Sequence, residues 1–350
     1  MIKVLLVDDS ALVRAMLKQV IKEDPRFTVV GEAENGLKAI AQNRQLSPDL
    51  IIMDINMPVM NGIEATSRIL ANSSPAVIGF STEDSMDVVY QCVAAGALEV
   101  VRKPEFAGMT AAMLKDFYDK IYLIAQNHKK KKSGTVQDDG SEEVSLSLFT
   151  GGPSEQKKNS YDILLIGAST GGPAAVQTVL QGLGSAFPLP ILVAQHIDDA
   201  FDVQFAKWLN DTTGLHVELA QNGTEPLPGH VYLAPAGHHL MIGKTRTSNT
   251  YLLQLNDDAP LYFLKPAVDK LFFSAAEVLK NKAIAVLLTG MGRDGAEGCS
   301  RIMKNGGYTI AEAESSCVVF GMPKAAIDAG AAKKVLALTQ IAPYVKSLIQ

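Results

Sequence analysis

Tyr161-Asp162-Ile163-Leu164-Leu165-Ile166-Gly167-Ala168-Ser169-Thr170-Gly171-Gly172-Pro173 decides how the larger half of this chain folds. Its apolar run, 163–166, lacks the polar alternation of a half-solvated strand and reads as a parallel strand buried on both faces. The run opens into small residues and then a helix-competent segment, 173–183. Ser169 therefore stands where a strand hands over to a helix, beside backbone N–H groups that no intrahelical carbonyl satisfies. Gly167-x-Ser169-x-Gly171 matches the G-x-S-x-G pattern of a nucleophile elbow, and its glycines permit a tight turn and close approach of a substrate. Taken alone, the motif suits a structural or phosphate-cradling turn equally well.

Two further stretches have the same form. Pro190-Ile191-Leu192-Val193-Ala194-Gln195-His196 is an apolar strand with a histidine at its exit, and residues 283–295 run from a buried strand into a glycine-rich turn that presents Asp294. Serine, histidine and aspartate thus occupy three strand ends and can converge. In that arrangement His196 takes the Ser169 proton, Asp294 holds the imidazole, and N–H groups near Thr170 and Met291 receive the oxyanion. The chain order Ser169, His196, Asp294 departs from the Ser, Asp or Glu, His order of α/β-hydrolases, which disfavours that fold. His238 and His239 follow a Pro-Ala-Gly turn without the Cys or carboxylate spacing of a metal site. His216 and His230 read as surface or strand-edge residues, and Trp208 as helix packing.

The first 127 residues alternate strand and helix. Strands are expected at 3–7, 28–31, 48–53, 76–80 and 99–102, with helices ending near residues 23, 45, 95 and 127 between and after them. The first helix is capped by Ser10, with Leu12, Met16, Leu17, Val20 and Ile21 at helical spacing. Such alternation implies a parallel sheet covered on both faces, with its site at the carboxyl ends of the strands. Those ends carry Asp8, Asp9 and Asp54, then Ser81 and Lys103. Clustered carboxylates need a cation, oxygen-only ligands suit magnesium, and a lysine opposite them can neutralise a phosphoryl group.

Between the halves, 128–160 reads as a flexible tether. It holds a Lys129–Lys132 basic run, Ser, Gly and Asp turns, and one apolar patch, 144–149. The chain has 350 residues, enough for two domains, and its 47% hydrophobic and 20% charged content is that of a globular protein. A net charge of −5 gives no footprint for nucleic acid, and no apolar run approaches membrane-spanning length. The N-terminus is too short in apolar residues for a signal peptide, so a cytoplasmic location is expected, with Cys92, Cys299 and Cys317 as buried thiols.

Residues 1–127 resemble a response-regulator receiver domain, also through Asn56-Met57-Pro58, Gly96-Ala97 and Lys103-Pro104. The resemblance implies a flavodoxin-like (βα)5 fold in which Asp54 accepts a phosphoryl group. Asp8, Asp9 and Asp54 then bind Mg2+, while Ser81 and Lys103 support the phosphorylated state. No aromatic stands at 98–101, which argues against an aromatic rotamer switch. Residues 161–350 resemble the chemotaxis protein-glutamate methylesterase catalytic domain, a doubly wound, mainly parallel α/β unit. The resemblance rests on the three strand-end motifs, 228–235, Lys265-Pro266-Ala267-Val268-Asp269 and 314–323. It departs from the family's His-Met-Pro at His196-Ile197-Asp198 and from Arg-Pro-Ser-Val-Asp at 265–269, positions that the resemblance implies face the substrate. The resemblance implies hydrolysis of glutamate γ-methyl esters on methyl-accepting chemoreceptors, with deamidation of glutamines as a second activity. No cofactor is implied for ester hydrolysis. The resemblance further implies a chemotaxis histidine kinase as phosphodonor, with phosphorylation of Asp54 relieving occlusion of Ser169 by the receiver.

Three other readings stand beside this one. A nucleotide-binding module shares glycine turns after buried strands, but G-x-G-x-x-G is missing and His196 stands where an acidic ribose reader is expected. A transcriptional regulator is the commonest use of a receiver, yet the second domain shows no basic recognition helix. A catalytically silent receptor-binding scaffold differs from an enzyme only in the geometry at Ser169.

Overall fold

Strands of Ile, Leu and Val without polar alternation bury both faces, and the central strands of both parallel sheets of this protein are built from them. The computed structural model describes residues 1–81, 86–103, 110–132, 160–197, 201–245 and 250–349. The chain divides into two units, Met1–Val136 and Gln137–Gln350.

The first unit runs β1 (Ile2–Val7), α1 (Ala11–Glu23), β2 (Phe27–Ala33), α2 (Gly36–Leu46), β3 (Leu50–Asp54), α3 (Gly62–Leu70), β4 (Ala76–Ser81), α4 (Met86–Ala94), β5 (Glu99–Arg102), α5 (Ala111–Lys132). The sheet order is β2-β1-β3-β4-β5, all parallel. β3 and β4 are buried at every residue. Ser10, Asn35 and Asn61 cap α1, α2 and α3 through their side-chain oxygens, satisfying amides that each helix start leaves open. α1 buries Leu17 and Ile21, whereas Leu12, expected on the apolar face, is 70% exposed. The 12-16-20 row lies along the flank of the helix, and the 17-21 row faces the sheet. The final helix extends beyond its expected end at 127: residues 128–132, expected in the tether, form its last turn, and Lys129 Nζ lies 3.0 Å from Asp49 Oδ1. The apolar patch at 144–149 lies outside the described residues.

The second unit continues β6 (Ile163–Ala168), α6 (Gly172–Leu183), β7 (Ile191–Gln195), α7 (Asp202–Thr213), β8 (His216–Leu219), β9 (His230–Leu233), β10 (His239–Lys244), β11 (Tyr251–Asn256), α8 (Val268–Val278), β12 (Ala283–Leu287), α9 (Ala296–Lys304), β13 (Tyr308–Glu312), α10 (Met322–Asp328), β14 (Lys334–Leu336), α11 (Leu338–Ile349). Its seven-stranded sheet has the order β14-β13-β12-β6-β7-β9-β8, parallel throughout. From central β6 the chain winds outward through β7, then returns to build β12, β13 and β14 on the other side. That reversal places the sheet's switch point at β6.

β10 and β11 form a separate antiparallel hairpin, which buries Leu240, Ile242 and Leu253 against α8. Ile242 N donates to Ser274 Oγ at 3.0 Å, fixing hairpin to helix. Gly167 lies beneath α8: a Cβ there meets Val268 Cγ1 at 2.3 Å, so helix and strand approach as closely as they do only because the residue is glycine. Among the described residues no helix is long and apolar enough to cross a membrane.

Candidate active site and phosphorylation site

At the switch point, Ser169 follows β6 and His196 follows β7, and the pair Ala168↔Gln195 brings the two strand exits side by side. His196 N donates to Ala168 O at 3.1 Å, and Ser169 N donates to Thr289 O at 3.0 Å, so backbone bonds hold the exits of β6, β7 and β12 together. His196 Nε2 lies 2.7 Å from Asp294 Oδ2. That contact commits Nε2 to the carboxylate and leaves Nδ1 as the nitrogen able to serve a hydroxyl. Among the described residues the Ser169 hydroxyl has no hydrogen bond to His196.

Asp294 is 1% exposed and sits at the start of α8, where it accepts from Val268 N at 2.7 Å and Asp269 N at 2.8 Å. The helix supplies unsatisfied amides and a favourable dipole for a carboxylate at that position. Thr170 N and Met291 N donate to no acceptor among the described residues. By contrast Gly290 N is committed to Val319 O at 3.0 Å, and Gly172 N to Ser169 O at 2.7 Å. Gly290 lies close against the serine, since a Cβ there falls 2.7 Å from Ser169 Cβ. The serine, imidazole, carboxylate and two open amides thus share one end of the sheet. Asp198 lies outside the described residues.

In the first unit, Lys103 Nζ bridges Asp8 Oδ2 at 2.8 Å and Asp54 Oδ1 at 2.9 Å. Asp8 and Asp54 are buried, while Asp9 is exposed. Burial pushes the Asp54 carboxyl up to about 6 despite the opposing pull of Lys103. The two carboxylates hold Lys103 above the ordinary lysine range against a burial cost that alone lowers it. Carboxylate oxygens of Asp8, Asp9 and Asp54 lie within 4.8 Å of one another, an all-oxygen set that fits Mg2+. Ser81 is buried at the end of β4, and Lys103 N donates to its carbonyl at 2.7 Å.

The chain was compared with known proteins. Residues 164–345 match the CheB methylesterase family, and residues 4–114 match the response regulator receiver domain. A protein-glutamate methylesterase/protein-glutamine glutaminase of Carboxydothermus hydrogenoformans is 37% identical, over 99% of each chain. One from Saccharophagus degradans, bearing the same name, is 36% identical over 97% of each chain. The chain belongs to the CheB methylesterase family. The crystal structure of the Thermotoga maritima CheB methylesterase catalytic domain is 40% identical, with TM-score 0.51, covering 54% of this chain and 98% of that one.

Several residues of this methylesterase that build the site were not singled out in sequence. Gln195 Nε2 donates to the carbonyls of both Ser169 and His196, each at 2.9 Å, and so ties the two strand exits through one side chain. Thr289 Oγ1 donates to Thr170 O at 2.9 Å and accepts from Val319 N at 2.9 Å. Buried Glu312 accepts from Thr289 N at 2.8 Å. Buried Asp269 accepts from Gly298 N at 2.7 Å, and burial, with the nearby Asp294 charge, pushes it up to about 7. Polar side chains at the ends of apolar strands are the available signal, but which carbonyls they reach depends on the strand order.

His239 has a structural role: Nδ1 accepts from Ala267 N at 3.1 Å, and Nε2 lies 3.3 Å from Ala259 O. His238 Nδ1 pairs with Asp257 Oδ1 at 2.6 Å. His216, Glu218 and His230 cluster at the amino-terminal end of β8 and β9, the sheet end opposite Ser169.

Proposed function

We propose that this protein hydrolyses γ-methyl esters of glutamate on chemoreceptor cytoplasmic domains in the cytoplasm, releasing methanol, and deamidates glutamines at the same centre. Ser169 is the nucleophile, His196 the general base and acid, and Asp294 the group that orients the imidazole. The observation that carries the reading is the convergence of these side chains at the switch point, with the 2.7 Å His196–Asp294 contact already made. Ser169 Oγ attacks the ester carbonyl as its proton passes to His196 Nδ1, and Thr170 N and Met291 N receive the developing oxyanion. Collapse of the tetrahedral intermediate expels methanol, protonated from His196. Water then adds to the acyl-serine by the same proton transfers and frees glutamate.

Asp54 is the phospho-acceptor, with a chemotaxis histidine kinase as phosphodonor. Asp8, Asp9 and Asp54 hold Mg2+, which when bound screens charge on the phosphoryl oxygens. Lys103 neutralises the remaining charge, and Ser81 offers a hydroxyl beside it. Phosphorylation biases a two-state arrangement in which the receiver occludes Ser169. The reading assigns 1–127, extended by the last turn of α5, to the receiver, the residues up to 160 to a tether, and 161–350 to the catalytic domain.

The test is methanol release from membranes containing methylated receptor, comparing the intact chain with Ser169→Ala. Release by the intact chain that is lost in the variant is expected. Equal release from both overturns the assignment of Ser169.

A further inference from the structure

The segment between β11 and α8 presents an aromatic tip beside the proposed catalytic groups. Leu261 and Leu264 exchange both backbone hydrogen bonds, at 3.1 and 2.9 Å, and so close a two-residue hairpin turn around Tyr262 and Phe263. Both turn residues have positive φ, 55° and 64°. A turn of this kind is ordinarily filled by Asn-Gly, because a bulky side chain at positive φ is strained. Phe263 is unusual in a second way: the residue is 101% exposed, the highest value among the exposed large apolar residues. A strained aromatic that packs against nothing among the described residues contributes neither turn propensity nor core.

The base of the segment is held firmly. Buried His239 binds Ala259 O and Ala267 N, one at each foot, and Lys270 Nζ pairs with Asp258 Oδ2 at 2.8 Å. The tip is also tied to the site. The Arg293 guanidinium lies over the Tyr262 ring, 5.3 Å from its centroid, and Arg293 immediately precedes Asp294. Among the described residues Arg293 is exposed and forms no ion pair with an acid. Tyr262, Arg293, Asp269 and Glu297 line one surface cleft of about 340 Å³. The far foot runs directly into α8, whose first amides hold Asp294.

We propose that this hairpin docks the polypeptide that carries the ester: Phe263 seats on apolar side chains of the substrate segment, and Arg293, braced by Tyr262, pairs with its acidic side chains. The inference rests on the reading of a protein glutamyl ester as substrate. A protein substrate needs a contact outside the reacting atoms, and an aromatic anchored on a rigid base supplies one at small entropic cost. Acidic residues are available on such a segment because each turnover leaves a glutamate.

The test is the methanol-release assay as a function of receptor concentration, with the intact chain, Phe263→Asn and Phe263→Trp. Asn suits positive φ, so Phe263→Asn is expected to melt no lower than the parent chain while its KM for methylated receptor rises about tenfold and its kcat stays within twofold. Phe263→Trp, which keeps an aromatic tip, is expected to restore KM to within threefold. An unchanged KM in Phe263→Asn overturns the docking role. Concentration-dependent self-association of the parent chain, lost in Phe263→Asn with KM unchanged, overturns it in favour of an interface between copies. No turnover of methylated receptor by the parent chain, with hydrolysis of p-nitrophenyl acetate that depends on Ser169, removes the substrate reading itself.

Discussion

Gln195 shows how a single side chain fixes the geometry of the candidate active site. Its amide spans the two carbonyls of Ser169 and His196, whose relative position decides whether a proton can pass between them. Gln195→Ala leaves two carbonyls without that donor and is expected to lower stability by about 1–3 kcal/mol. It is also expected to lower kcat more than KM is raised, since misalignment of the proton path acts on the chemical step. Denaturant melts and steady-state kinetics check both. Asp269 gives a pH signature. Its carboxyl is pushed up to about 7 in the folded protein, against roughly 4 when unfolded. Below pH ~4 both states are protonated; between ~4 and ~7 the folded state holds the extra proton, so stability falls as pH rises through that window. Asp269→Asn removes this slope and is expected to be more stable than the parent chain at pH 8, by on the order of 1–4 kcal/mol. Urea unfolding at pH 5, 6, 7 and 8 measures it, and a variant less stable at pH 8 contradicts the assignment.

At the scale of the element, the contact of α8 with β6 sets the geometry of the candidate active site. Gly167 lets the helix descend until Val268 N and Asp269 N reach Asp294. Gly167→Ala forces Val268 away and is expected to cost about 1–3 kcal/mol of stability and to reduce kcat with it. In the receiver, β1, β3 and the residue after β5 bring Asp8, Asp54 and Lys103 together. Lys103→Ala leaves two buried carboxylates without a counter-charge and is expected to lower stability near pH 7 by about 2–4 kcal/mol. Millimolar Mg2+ is expected to recover part of that loss in thermal melts. The strands carrying all of these residues are legible in sequence because apolar runs ending in polar residues are local signals. The partners are not: Asp294 bonding to amides 25 and 26 residues away depends on strand order. The β10–β11 hairpin is not legible in sequence because its pattern, with Lys244 and Asn256 at its ends, is shared by many surface strands.

At the scale of the whole chain, two parallel sheets each gather candidate functional groups at the carboxyl ends of their strands, one a carboxylate cluster and one the Ser169, His196 and Asp294 set. The division into two such units was legible from the compositional break after the first domain, but the end of α5 was not. Its final turn is a lysine run that composition alone assigns to solvent, and Lys129 finds Asp49 only in the fold. The account holds that the first centre governs the second. The most direct measurement is the rate of methanol release from methylated receptor membranes with and without a small phosphodonor and Mg2+, for the intact chain and for Asp54→Asn. The account predicts a phosphodonor-dependent rise of at least tenfold in the intact chain and none in Asp54→Asn. An equal rise in both proteins, or none in an intact chain shown to be phosphorylated, contradicts it.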